Sequence, residues 1–143
     1  MRKLFAIAAV ATLLSAQPAF AEIGRIKSLV GAVSIKRGDS LVKAIPGFKL
    51  EQGDWIMTGP DGRVGISFLD NTRMAVGPKS QVRMSQFTYD RSRQSGTSLT
   101  YVKRGSLGVV SGNIAKSGRD AMKVETPHSM LGVRGTKFVV DVK

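Results

Sequence analysis

The chain has 143 residues, no cysteine, and 22 basic against 10 acidic side chains. Without cysteine it has no disulfide, no thiol nucleophile, no Cys-ligated metal and no acylated lipoprotein anchor. The length suits one domain around one core, and the basic excess favours anionic partners while repelling cationic ones.

Arg2 and Lys3 open the chain, and Leu4 to Leu14 is apolar apart from Thr12. Pro18 then precedes Ala19-Phe20-Ala21. These are the three parts of a secretory signal, with cleavage expected after Ala21. A membrane-spanning helix needs about 20 apolar residues, and this run has eleven. The expectation is therefore a signal peptide over 1–21 and a mature chain, 22–143, in the periplasm without a transmembrane span. Loss of Arg2 and Lys3 leaves 20 basic residues facing 10 acidic ones. They are scattered along the chain rather than gathered in a tail, the pattern of solvated strand faces.

From residue 22 onward the hydrophobic period is two. Val33 and Ile35 alternate with Ser34 and Lys36, and Val64, Ile66 and Phe68 with Arg63, Gly65 and Ser67. Val82 and Met84 alternate with polar neighbours, as do Leu99 and Tyr101 with Ser98 and Thr100; Phe138, Val140 and Val142 close the chain in the same way. Each run predicts a strand with one face in a core. Turn residues punctuate the runs: Gly38-Asp39, Gly53-Asp54, Gly59-Pro60-Asp61-Gly62, Asp70-Asn71, Gly77-Pro78 and Gly112-Asn113. All sixteen glycines lie after residue 21, which disfavours long helices. The expectation is an all-β fold, a single small domain of many short antiparallel strands arranged as a sandwich, barrel or solenoid-like roll. The polar stretch from Asp90 to Gly96 reads as the longest loop, dividing the domain into halves of about 23–89 and 98–143. Trp55 opens the apolar segment Trp55-Ile56-Met57 and reads as a core residue.

No catalytic constellation stands out. His128 is the only histidine and follows Pro127 in a turn, and no Gly-x-Ser-x-Gly elbow is present. Asp39, Asp54, Asp61 and Asp70 all sit at turns, without the spacing of a calcium loop. The glycine-rich stretches lack phosphate-cradling patterns. The chain is expected to be no enzyme, with no catalytic residue, cofactor or metal.

Two ordered constellations are more specific. The first contains Gly53-Asp54, Thr58-Gly59, Asp70-Asn71 and Gly77-Pro78-Lys79-Ser80; the second contains Thr126-Pro127 and Gly132-Val133-Arg134-Gly135-Thr136-Lys137-Phe138. Together they resemble the FecR domain, a periplasmic β-rich module named for an iron-citrate signalling regulator. The resemblance covers nearly all of the mature chain. It implies a β-rich fold in which Gly53, Asp54, Thr58, Asp70, Gly77, Pro78, Thr126, Pro127, Gly132, Arg134, Gly135 and Thr136 form the structural motif. The signalling regulators carry a cytoplasmic anti-sigma segment and a receptor-contacting domain that this chain is expected to lack. What the resemblance implies is a stand-alone periplasmic binding or scaffolding module in envelope sensing or assembly, not the regulator's mechanism. The alternative is a cationic module that attaches to an anionic envelope polymer. The partner is thus an envelope protein or an anionic polymer, and nucleic acid is not expected.

Arg134 stands between two glycines just before the closing strand. It reads either as a clamp to a carboxylate, Asp54 or Asp70, or as an exposed ligand hook, with the clamp preferred. The signal reading has a direct check: the intact mass of the exported protein should correspond to a chain beginning at Glu22. A membrane-held product still starting at Met1 would overturn it.

Overall fold

The computed structural model describes residues 21–143. The expected signal segment lies outside the described residues apart from Ala21. Nearly every period-two run becomes a strand, and the strands join in one curled, half-barrel sheet folded into two layers.

In the first layer are β1 (Glu22–Val30), β4 (Lys49–Glu51), β6 (Arg63–Phe68) and β7 (Arg73–Val76), in the order β4-β1-β6-β7. In the second are β2 (Val33–Arg37), β3 (Ser40–Lys43), β5 (Trp55–Thr58) and β8 (Gln81–Asp90), in the order β3-β2-β5-β8. The long strand β9 (Ser95–Val110) belongs to both. Its first part pairs with β8 and its last part with β7. Beyond β9, β10 (Met122–Glu125) and β11 (Met130–Gly132) extend the second layer, and β12 (Lys137–Val142) extends the first. Every pairing is antiparallel except that of β9 with β10. One short helix, α1 (Asn113–Ser117), leads the chain from the end of β9 back to the second layer.

The inward faces of the two layers share one core. Ile26, Leu50, Ile66, Val76 and Leu107 come from the first layer; Ile35, Ile56, Val82 and Val102 come from the second, and all are at most 2% exposed. Each such side chain contributes about 1.5–3 kcal/mol when removed from water.

Three local expectations are corrected. Trp55 lies on the outer face of β5, partly exposed, because Ile56 takes the inward position. In β9 the faces are reversed: Ser98 and Thr100 point inward, whereas Leu99 and Tyr101 face out. The inward parity there is set by Val102, which is fully buried and pairs with Val82. The polar stretch after Asp90 is only the tip of the β8–β9 hairpin, residues 91–94. Thr88 pairs with Thr97 and Asp90 with Ser95 across it.

Four of the chain's passages between the layers lie along one spine. β1 crosses to β2 at Gly31-Ala32, β5 to β6 at Gly59–Gly62, β7 to β8 at Gly77–Ser80, and β9 crosses within itself at Gly105. Each crossing bonds to another. The Gly59 N–H donates to Ala32 O (2.9 Å), Lys79 N–H to Gly59 O (3.1 Å), and Gly77 N–H to Ser106 O (3.0 Å). Two hydroxyls tie the same corners. Thr58 Oγ1 donates to Gly77 O (2.6 Å) and accepts from Ser80 N–H (2.9 Å), while Ser80 Oγ accepts from Ser106 N–H (3.0 Å).

Gly105 is required at this spine on two counts. Its φ is +94°, and a Cβ there would overlap Ser80 Oγ and stand 2.5 Å from Ser80 Cα. Gly105→Ala should therefore destabilise the domain by about 3 kcal/mol or more, through overlap added to backbone strain. Gly38 also has positive φ (58°) but has nothing within 4 Å of its missing Cβ, so Gly38→Ala should cost about 1 kcal/mol. Equal denaturation midpoints for the two variants would contradict the spine packing.

Candidate functional site

The motif residues fall in three places rather than one. Thr58, Gly77 and Pro78 lie at the spine. A Cβ on Gly77 would displace the Ser106 hydroxyl, with the nearest backbone atom, Ser106 O, 3.8 Å away. Pro78 supplies a carbonyl that accepts from Ser80 Oγ (3.1 Å).

Gly53, Asp54 and Asp70 lie away from the spine. Gly53 turns the chain from β4 to β5 with φ of +92°, and its N–H donates to Met84 O (2.6 Å). Asp54 is 1% exposed. It accepts from Glu51 N–H (2.8 Å) and from both arms of Arg37, Nε at 2.9 Å and Nη2 at 2.8 Å. The same guanidinium donates to Lys49 O (3.0 Å), stands 3.4 Å from Glu51 and covers the Phe48 ring at 5.4 Å. The hydrogen bond to Asp54 raises the pKa of Arg37, with burial opposing it. A raised pKa means that this contribution is complete below arginine's ordinary value and is lost only above it, so the neutral range leaves the pair intact.

Asp70 is fully buried and, among the described residues, meets no cation; hydrogen bonds hold its carboxylate. It accepts from Thr72 N–H (3.1 Å), Thr72 Oγ1 (2.7 Å) and Ile114 N–H (3.1 Å), and Thr72 Oγ1 in turn accepts from Gly112 N–H (3.1 Å). These bonds tie the β6–β7 turn to the start of α1, and Ile114 is thereby seated in the core.

The remaining motif residues form the return of the chain from β10 to β12. Thr126 and Pro127 make the exposed β10–β11 turn, where Thr126 Oγ1 accepts from Ser129 N–H (3.1 Å). Gly132 passes so close to Asp120 that a Cβ would overlap its carboxylate. Gly135 has open space at its missing Cβ, with nothing nearer than 3.9 Å, and its carbonyl accepts from Ser111 Oγ (2.8 Å). The Thr136 carbonyl accepts from Ser111 N–H (2.8 Å).

Arg134 is not the clamp. It is exposed and makes no hydrogen bond or ion pair among the described residues. Its neighbour Val133 is the residue that turns inward, 7% exposed, with its N–H on Met122 O (2.9 Å). Asp54 is taken by Arg37 and Asp70 by backbone and hydroxyl donors, so neither carboxylate has a place for Arg134.

Sequence reasoning also missed the outer face of the second layer. One cross-strand row runs Lys36, Trp55, Arg83, Tyr101, Glu125, one residue from each of β2, β5, β8, β9 and β10. Trp55 and Tyr101 meet edge to face with centroids 5.9 Å apart, and the Arg83 guanidinium stands 5.9 Å from the Trp55 centroid. The signal for this row was the spacing of Trp55 and Tyr101, but it needs the β9 parity to be read.

Among the described residues no group of three or more His, Asp or Glu side chains gathers to hold a metal, and no helix is long and apolar enough to cross a membrane. Arg37→Ala should strip the buried Asp54 of its counter-charge. The expected loss is about 2 kcal/mol, below the 3–5 kcal/mol of a fully buried pair because the Arg37 side chain is 39% exposed. Arg134→Ala should shift stability by no more than about 0.5 kcal/mol. Urea denaturation of both variants checks the pair; a larger loss at Arg134 than at Arg37 would reverse the assignment.

No curated protein and no solved structure matches the chain. The family described as FecR protein matches residues 54–143, from the Asp54 turn through β12. That span holds every motif residue placed above except Gly53. With its motifs located at the joints of this curled sheet, the chain belongs to the FecR protein family.

Proposed function

We propose that the chain is a non-enzymatic binding or scaffolding module of the periplasm, acting in envelope sensing or assembly. The signal-like N-terminus and the FecR membership support this placement. One observation carries the reading. The motif groups with reactive chemistry, Asp54, Asp70 and Thr58, are buried and bonded within the chain, where they fix its turns and crossings. They hold a scaffold, and the surface that scaffold offers is the outside of its strands.

Two partner classes fit such a module. A packed interface with another envelope protein is the first. Attachment to an anionic polymer is the second, favoured by the excess of cations over carboxylates on the outer strand faces.

Capture of the full chain from envelopes at rising salt, with crosslinking applied only after each salt step, tests the reading. A specific envelope component should be recovered. A protein partner should persist when salt is raised to about 1 M, where screening is nearly complete, whereas a polymer should be released. Recovery of nothing specific at any salt would overturn the module reading.

A further inference from the structure

We infer that the outer face of the second layer is a binding site for an anionic polysaccharide, with Arg83 as its anion-pairing residue. The inference rests on the binding-module reading above and names the ligand chemistry of that module.

Four observations meet on this face. The row Lys36, Trp55, Arg83, Tyr101, Glu125 crosses five strands, which is about 19 Å at the usual strand spacing. That is the shape of an elongated ligand rather than of a small molecule in a pocket. Arg83 is exposed and in no ion pair among the described residues, yet it is not free to wander. The Trp55 ring, itself packed edge to face against Tyr101, holds the guanidinium to the sheet. A cation oriented in advance loses little entropy when it takes a carboxylate or phosphate in a bidentate pair.

Beside this row, towards the spine, a groove of ≈ 490 Å³ runs over Met57, with Lys43 at one end and Arg104 at the other. Both cations are exposed. The row and groove together carry a single carboxylate, Glu125, at the far edge. Charge complementarity therefore specifies an anion.

The chemistry of the face separates a glycan from an acidic protein. Protein interfaces keep an apolar centre and are poor in lysine. Here the centre is Arg83, lysines flank it, and the large exposed apolar side chains Leu41 and Met130 stand at opposite ends of the row. Partly exposed aromatic rings alternating with cations suit sugar rings instead. The C–H faces of a sugar pack on aromatic carbon, while its carboxylate or phosphate groups reach the cations between them.

The test uses the purified full chain and four probes: alginate, a polyuronate; dextran, a neutral glycan; polyglutamate, an anionic chain without rings; and a single-stranded oligothymidylate. Alginate should bind, dextran should not, and polyglutamate and the oligonucleotide should each bind at least about tenfold more weakly than alginate. Arg83→Ala should weaken alginate binding about tenfold, the loss of one charge-assisted pair. Arg73→Ala, on the outer face of the first layer, should change it less than about twofold. Trp55→Phe keeps a ring under Arg83 and should bind more tightly than Trp55→Ala, with circular dichroism confirming that both fold.

Three results would overturn the inference: no binding of alginate, tighter binding of polyglutamate or the oligonucleotide, or equal losses at Arg73 and Arg83. If envelope capture still succeeds in the Arg83→Ala variant while alginate fails to bind, the module reading stands and only the glycan site falls.

Discussion

Everything in this fold hangs from the place where its strands change layer. Four backbone crossings lie against one another at the spine, and such close approach excludes a side chain at Gly105. Buried backbone polar groups brought together there must find partners or cost about 1–3 kcal/mol each. The Thr58 and Ser80 hydroxyls supply those partners, since a hydroxyl both donates and accepts and can bridge two strands at once. A methyl group at either position would fill the space and leave carbonyls and amides unpaired. The sequence pattern Thr-Gly followed by Gly-Pro-x-Ser is the chemical signature of that corner.

The opposite side of the fold is held by carboxylates used in two different ways. Asp54 is buried with a counter-charge, Arg37, whose own outer edge still reaches solvent. Asp70 is buried with none among the described residues and relies on hydrogen bonds from Thr72 and Ile114. Both arrangements satisfy the rule that a buried charge must be compensated, but they serve different joints. Asp54 fixes the turn by which β4 enters β5, and Asp70 fixes the start of α1, which carries Ile114 into the core. The buried motif residues Thr58, Asp54 and Asp70 are thus explained by architecture, whereas Arg134 is left exposed.

The local parts of this design were legible in the sequence. Period-two runs, the glycine and proline turns and the Asp70-Asn71-Thr72 turn each involve neighbours in the chain. What failed was non-local. Arg37 finds Asp54 because β2 lies beside β5, and nothing in the sequence around either residue says so. Arg134 looked like a clamp because glycines flank it, but Gly132 serves the passage of the backbone past Asp120 and Gly135 has open space around it. Trp55, Leu99 and Tyr101 were read as core because they are large and apolar. The register with β8 instead set the inward faces at Ile56 and Val102 and left small hydroxyl residues, Ser98 and Thr100, inside. The sheet therefore exposes aromatic rings that a residue-by-residue reading would hide.

The double membership of β9 has a consequence for how the domain comes apart. Its first part is a central strand of the second layer and its last part a central strand of the first. Neither layer can fray completely without stripping hydrogen bonds from a strand that the other also needs. The two layers accordingly form one cooperative unit rather than two foldons. Since β9 pairs with strands both before and after it in the chain, including distant β12, that unit is assembled largely from contacts remote in sequence, and its formation falls at the slow end of the range for small domains.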